Sequence, residues 1–152
     1  MLLLLNYLGM FHKRKFTPIF PEKYKGDPTN IIMRSSWETM FASWCDKNSS
    51  ITQWSSEETI IPYRCPTDNL IHRYFVDFRI TLNTGKTYLV EVKPKYQTIP
   101  PVFPGKRTKR YLTESYTFMK NQAKWEAANI YAKDRGWEFK IITEHELGIA
   151  PK

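Results

Sequence analysis

Three charged residues sit inside otherwise apolar runs. Asp77 lies in Phe75-Val76-Asp77-Phe78, and Glu91 and Lys93 lie in Leu89-Val90-Glu91-Val92-Lys93. Charges embedded in apolar strands cost free energy unless something compensates them, and two close carboxylates repel. A divalent cation relieves both problems, and magnesium favours a pair of carboxylates completed by waters and phosphate oxygens. An ammonium beside them can orient an attacking water or stabilise charge building on a phosphate. The chemistry such a trio suggests is metal-assisted hydrolysis of a phosphate ester. The plainer reading of the same spacing is an ion-paired cluster on a solvated sheet face.

Positioning these groups requires a hairpin. His72–Leu82 and Thr87–Lys95 are rich in β-branched and aromatic residues and flank Asn83-Thr84-Gly85, a turn in which Gly85 can adopt positive φ. With Leu82 opposite Lys86, Asp77 falls opposite Glu91, at a Cβ separation of about 4.5–5.5 Å. Side chains alternate along a strand, so Lys93 shares the face of Glu91.

Around the hairpin, residues 13–30 lack periodicity and read as an extended lead-in. Met33, Trp37, Met40, Phe41 and Trp44 fall at helical spacing, which predicts a helix with Trp37 and Trp44 on its core stripe and Glu38 beside them, half-buried. Ile51–Ile61 reads as extended, and Pro62, Pro66, Asp68 and Asn69 mark a loop. Residues 96–113 combine prolines with Lys106, Arg107, Lys109 and Arg110 and read as a mobile basic loop. A second helix is predicted over Ser115–Arg135, with an apolar face of Tyr116, Met119, Ala123, Ala127, Ile130 and Tyr131, followed by a strand at Glu138–Thr143 and a short turn or helix at Glu144–Leu147. The order gives an α/β fold with a mixed sheet flanked by two main helices.

Composition narrows the partner. The 152 residues carry a formal net charge of +8, which suggests a polyanion, most often nucleic acid. Lys106, Arg107, Lys109 and Arg110 are candidate phosphate contacts, as are Lys120 and Lys124, one helical turn apart. Cys45 and Cys65 make no disulfide framework, and His12, His72 and His145 are scattered without suggesting a zinc site. A structural role suits His72 better than a DNA contact. The opening Met1–Phe11 is too short an apolar run to span a bilayer and lacks a signal peptide's charged start. We read residues 1–22 as an arm, 23–152 as one domain, and the cytoplasm as its location, with no membrane partner. Met10 offers an alternative start.

Asp77, thirteen residues, then Glu91-Val92-Lys93 resembles the PD-(D/E)xK nuclease signature, with Val76 where a Pro usually precedes the Asp. The element order resembles that superfamily's restriction-endonuclease-like core: helix, three-stranded meander, helix, strand. Tyr24-x-Gly26-Asp27-Pro28, Arg34-Ser-x-Trp37-Glu38, Trp44-Cys45-Asp46, Trp54-x-Ser56-Glu57-Glu58, Val90-Glu91-Val92-Lys93-Pro94 and Lys124-Trp125 extend it. Over Lys23–Leu147 the chain resembles the head-completion nucleases of T-even-like tailed phages and, more distantly, TnsA-type transposon end nucleases. The resemblance implies a DNA-cleaving enzyme acting on packaged phage DNA before heads join tails and leaving 5′-phosphates. It further implies Mg²⁺, or Mn²⁺ in its place, bound by Asp77, Glu91, the Val92 carbonyl and Glu38, with Lys93 on the attacking water. Arg34 and Lys95 join the candidate DNA contacts, portal, neck or other head-completion proteins are the implied protein partners, and the implied location is the host cytoplasm or, as a second possibility, the virion. Two rival expectations remain: a non-enzymatic DNA-capping protein on the same scaffold, and a transposon or repair nuclease.

Overall fold

A computed structural model describes residues 13–149. The central sheet has four strands in the order β3 (Ile51–Ser56), β6 (Phe78–Leu82), β7 (Thr87–Val92), β8 (Glu138–Ile142). The first three form an antiparallel meander, and β8 joins β7 in parallel, so the sheet is mixed as expected. Two main helices cover it: α1 (Ser36–Lys47) and α2 (Lys109–Asp134). A short α3 (Glu144–Leu147) follows β8.

Two small antiparallel ribbons flank this core. β1 (Arg14–Phe16) pairs with β2 (Ile31–Met33), and β4 (Ile60–Arg64) pairs with β5 (Ile71–Phe75). The lead-in is therefore partly a strand pair with a 3₁₀ turn at Pro21–Lys23, and Met33 belongs to β2 rather than to the first helix. The β4–β5 hairpin is an insertion between the first two strands of the meander. Pro62 sits inside β4 opposite Arg73, which corrects the loop expected there. A proline suits a ribbon edge, where no ladder donor is needed. The loop is shifted to Cys65–Leu70, where Asn69 takes φ 59°.

Alternation along β7 separates two cores. Val90 and Val92 face α1 with Phe41, Ala42, Cys45, Trp54 and Phe78. Leu89 faces α2 with Val76, Tyr74, Trp125, Ala128 and Ala132. Trp54 anchors the first core, with its ring centroid 4.8 Å from that of Tyr24 and 5.7 Å from that of Phe16. The α1 C-terminus is tied down by charge: Lys23 Nζ donates to the carbonyls of Cys45, Asp46 and Asn48 at 2.8, 2.7 and 2.9 Å. A cation there satisfies carbonyls that the helix leaves unpaired. The buried Asp46 carboxylate accepts from the backbone N–H groups of Ile19 and Phe20, which ties this largely exposed stretch to the domain. Residues 1–12, which hold most of the expected arm, and residues 150–152 lie outside the described part.

Both helix faces depart in part from their sequence expectation: Trp37, Ala123, Ala127 and Tyr131 pack against the cores as expected, though only partly buried. On α1 the buried side chains are Phe41, Ala42, Cys45 and Asp46, while Met40 and Trp44 are exposed, Trp44 at 49%. On α2 they are Asn121, Trp125, Ala128 and Ala132; Tyr116, Met119 and Ile130 face solvent. Ala42 and Cys45 beside Phe41, and Ala128 and Ala132 beside Trp125, let each helix approach the sheet closely, a contact that bulk-weighted periodicity does not register. α2 also starts at Lys109, capped by Thr108, so Lys109 and Arg110 are helical rather than part of a basic loop.

Candidate metal and nucleic-acid site

The expected hairpin register holds. Phe78 pairs with Val90 and Thr81 with Thr87, while Gly85 turns the chain at φ 88°. The strand does not run unbroken from His72 to Leu82, however. It breaks at Val76-Asp77, where β5 leaves for its own ribbon and β6 begins. Asp77 sits at that fork, across from Glu91. Its Oδ2 accepts the Val92 N–H at 2.8 Å.

Each acid is held by one oxygen. Glu91 is buried, and its Oε2 accepts a short hydrogen bond from the Tyr74 hydroxyl, while Oε1 lies 3.7 Å from Lys93 Nζ. Glu38 reaches the same end of the sheet from the first turn of α1, capped by Ser35, and its Oε2 accepts the Arg34 N–H at 3.0 Å. A second acid line is formed by Glu57, held at φ 56°. Its carboxylate grips the Arg34 guanidinium through two hydrogen bonds, of 2.5 and 3.2 Å. A left-handed glutamate is uncommon and costs about 1 kcal/mol or more of strain.

Electrostatics follow from this packing. Burial pushes the Asp77 carboxyl well above the ordinary carboxylate range, and the neighbouring Glu91 and Glu38 push it further. Burial also raises Glu91, against the pull of Lys93, and raises Glu38, against its bond to the Arg34 N–H. Tyr74 is driven up by burial and then by Glu91, which keeps it a donor. Lys124 is half-buried, with Nζ 5.7 Å from the Tyr74 ring centroid and 5.9 Å from that of Tyr63. Burial lowers its pKa, and Glu91 partly offsets that. The arrangement sets three carboxylates at one end of the sheet among Lys93, Lys124 and Arg34, and hard oxygen donors of this kind suit a divalent cation.

Of the sequence candidates, the fold brings Glu38, Asp77, Glu91, the Val92 backbone, Lys93, Arg34 and Lys124 to one end of the sheet. Lys120, one turn from Lys124, and Lys95, two residues past Lys93, are exposed nearby in the chain. Lys106, Arg107 and Lys109 are exposed, and Arg110 pairs with Glu114 at 2.8 Å. Sequence reasoning misses two residues. Tyr74 carries no signal, because its contact with Glu91 depends on the fork. Glu57 stands in the Trp54-x-Ser56-Glu57-Glu58 motif, which gives it no task of its own. The sequence also hides a groove of about 500 Å³ beside Glu57, with Lys13, Arg14, Lys15 and Arg34 along it. The oxygens of Asp77, Glu91 and Glu38 are not drawn tightly together. Among the described residues, the set whose ligand atoms converge within 4.8 Å is Cys65, Asp68 and His72, a grouping the scattered histidines give no reason to expect.

Residues 48–144 match the TnsA-like endonuclease N-terminal family. The chain belongs to that family. The TnsA-like match spans Asp77, Glu91, Lys93 and all of α2, and begins after α1 with Glu38. A further similarity runs through most of the chain: it is 42% identical over 142 residues to the head completion nuclease of Enterobacteria phage T4, which covers 91% of this chain and 95% of that protein. The TnsA-like fold is thus a nuclease fold, and nucleic acid is its substrate class. No helix among the described residues is long and apolar enough to cross a membrane.

Proposed function

We propose that this TnsA-like nuclease is a metal-dependent deoxyribonuclease that trims packaged phage DNA during head completion, before heads join tails. The observation that carries the reading is the tethering of three carboxylates by one oxygen each. Asp77 is held by the Val92 N–H, Glu91 by Tyr74 and Glu38 by the Arg34 N–H, which fixes one oxygen of each carboxylate at the same end of the sheet and leaves the other to meet a cation. Asp77, Glu91, the Val92 carbonyl and, directly or through water, Glu38 would hold Mg²⁺, with Mn²⁺ an acceptable substitute. When bound there, such an ion would supply Lewis-acid stabilisation of the phosphate and a more acidic water. Lys93, beside Glu91 Oε1, orients the attacking water and donates to a non-bridging phosphate oxygen as charge builds there. Water oxygen bonds to phosphorus, the bond to the 3′ oxygen breaks, that oxygen takes up a proton, and the 5′-phosphate remains on the product. Lys124, Arg34 and the basic groove neutralise flanking phosphates. The likeness to the head completion nuclease of phage T4 supports this reading, on which the chain would work in the infected host cytoplasm beside the portal or neck of the phage head.

The test is cleavage of plasmid and linear DNA by the purified chain with magnesium. Asp77→Ala and Lys93→Ala should each slow cleavage by at least about 100-fold, and chelation should abolish it. Wild-type rates in both variants would remove the assignment. Full rescue of phage growth by Glu91→Ala would favour a DNA-capping role without chemistry.

A further inference from the structure

The tip of the β4–β5 hairpin gathers three different donors within eight residues. Cys65, Asp68 and His72 follow a Cys-x2-Asp-x3-His spacing. The loop is closed by the Cys65 N–H on the Leu70 carbonyl and by the Asn69 N–H on the Cys65 carbonyl, both 2.8 Å, and the left-handed Asn69 returns the chain. As a result Sγ, a carboxylate oxygen and an imidazole nitrogen all lie within 4.8 Å of one another.

We propose that Cys65, Asp68 and His72 form a binding site for a zinc-class cation, separate from the acidic centre. A hydrogen bond accounts for His72 Nε2 lying 2.6 Å from Asp68 Oδ2, but it gives no reason for a thiol to complete the triangle. The donor set is decisive for the ion. Zinc takes sulfur, imidazole nitrogen and carboxylate oxygen together, whereas magnesium prefers oxygen alone. Cys65 is buried at the floor and the Asp68 and His72 side chains are exposed at the rim, at 40% and 43%, so an ion enters from solvent onto the sulfur. The supports are already in place: the Leu70 N–H holds the other Asp68 oxygen at 3.0 Å, and the Thr67 hydroxyl lies 3.1 Å from Sγ, placed to donate to a thiolate. Three protein ligands leave a fourth, open position for water. An occupied site would stiffen the ribbon that carries Tyr74, two residues beyond His72.

The experiment is a titration of the full chain with Co²⁺ and Cd²⁺, followed by thiolate-to-metal charge transfer in the ultraviolet. The proposal expects one saturable equivalent, displaced by Zn²⁺ and unchanged in Asp77→Asn, which separates it from ions held at the acidic centre. His72→Ala, at an exposed position, should weaken binding at least about tenfold, and Cys65→Ser should remove the band. Should Cys65→Ser misfold, Asp68→Asn and His72→Ala decide the matter. Absence of a band at equimolar metal, or equal affinity in wild type and His72→Ala, overturns the site.

Discussion

At the scale of single residues, the site is a set of acids whose charge the fold does not balance. A carboxyl raised by burial binds its proton more tightly folded than unfolded, so it contributes stability below the ordinary carboxylate pKa and loses it as pH rises through the folded value. Asp77, Glu91 and Glu38 are all raised. The metal-free protein should therefore become less stable from about pH 4 toward neutrality through these three groups. Asp77→Asn keeps an oxygen for the Val92 N–H and removes the charge. It should raise metal-free stability at neutral pH by on the order of 1 kcal/mol, measured by thermal unfolding with chelator, and should flatten the acid-to-neutral slope. Unchanged stability would argue against crowding at Asp77. Tyr74→Phe removes the donor to buried Glu91 Oε2. An orphaned buried acceptor costs about 1–3 kcal/mol, and the freed carboxylate should bind cation more weakly. Magnesium titration of the variant should thus show a higher half-saturating concentration before any loss at saturation.

At the scale of elements, the informative feature is the fork at Val76-Asp77. The sequence from His72 to Leu82 alternates well enough to read as one strand, and the hairpin register is legible because turn and apolar pattern agree. The fork is not legible, because it arises when β5 finds β4, a partner that appears only once Pro62 is accepted in a ribbon edge. Helix faces depart from their periodicity for a related reason: Trp44 and Met40 satisfy helical spacing, but the sheet leaves room only for Phe41, Ala42 and Cys45. Trp44→Lys should accordingly cost no more than about 0.5 kcal/mol. By contrast Ala128→Leu, at a fully buried position between α2 and the sheet, should cost about 1–3 kcal/mol by overpacking. Gly26 is a second fixed point, with φ 154° and a would-be Cβ 2.7 Å from Glu58 Oε1 and 2.9 Å from the Tyr24 ring. Denaturant midpoints for the three variants check this ordering, with Gly26→Ala also destabilising.

At the scale of the whole molecule, positive charge is gathered in two exposed stretches of the described residues. The net +8 is carried partly by Lys13, Arg14 and Lys15 beside Arg34 and partly by Lys106, Arg107 and Lys109 at the start of α2. Cations at a helix N-terminus oppose its dipole, and a bound phosphate offsets that. DNA affinity should fall steeply with salt. Replacing Lys106, Arg107 and Lys109 together with Ala should shrink the log–log salt slope by about 0.9 for each phosphate no longer neutralised. Sequence preference should change little, in binding measured with calcium in place of magnesium. An unaltered slope would move the DNA path to the β1–β2 groove.

Local patterns alone were enough for the mixed α/β order and for the pairing of Asp77 with Glu91, since helical spacing, strand alternation and a glycine turn are all written in the residues. The motifs of the chain likewise carried the nuclease family. Folding in three dimensions had to decide which oxygen of each acid is tethered, that Tyr74 donates to Glu91 while Lys124 lies over the Tyr74 ring, and that Cys65, Asp68 and His72 converge. Those facts depend on side chains from elements distant in the chain, or on a loop's return path, and they are fixed by packing and closure rather than by any period in the residues.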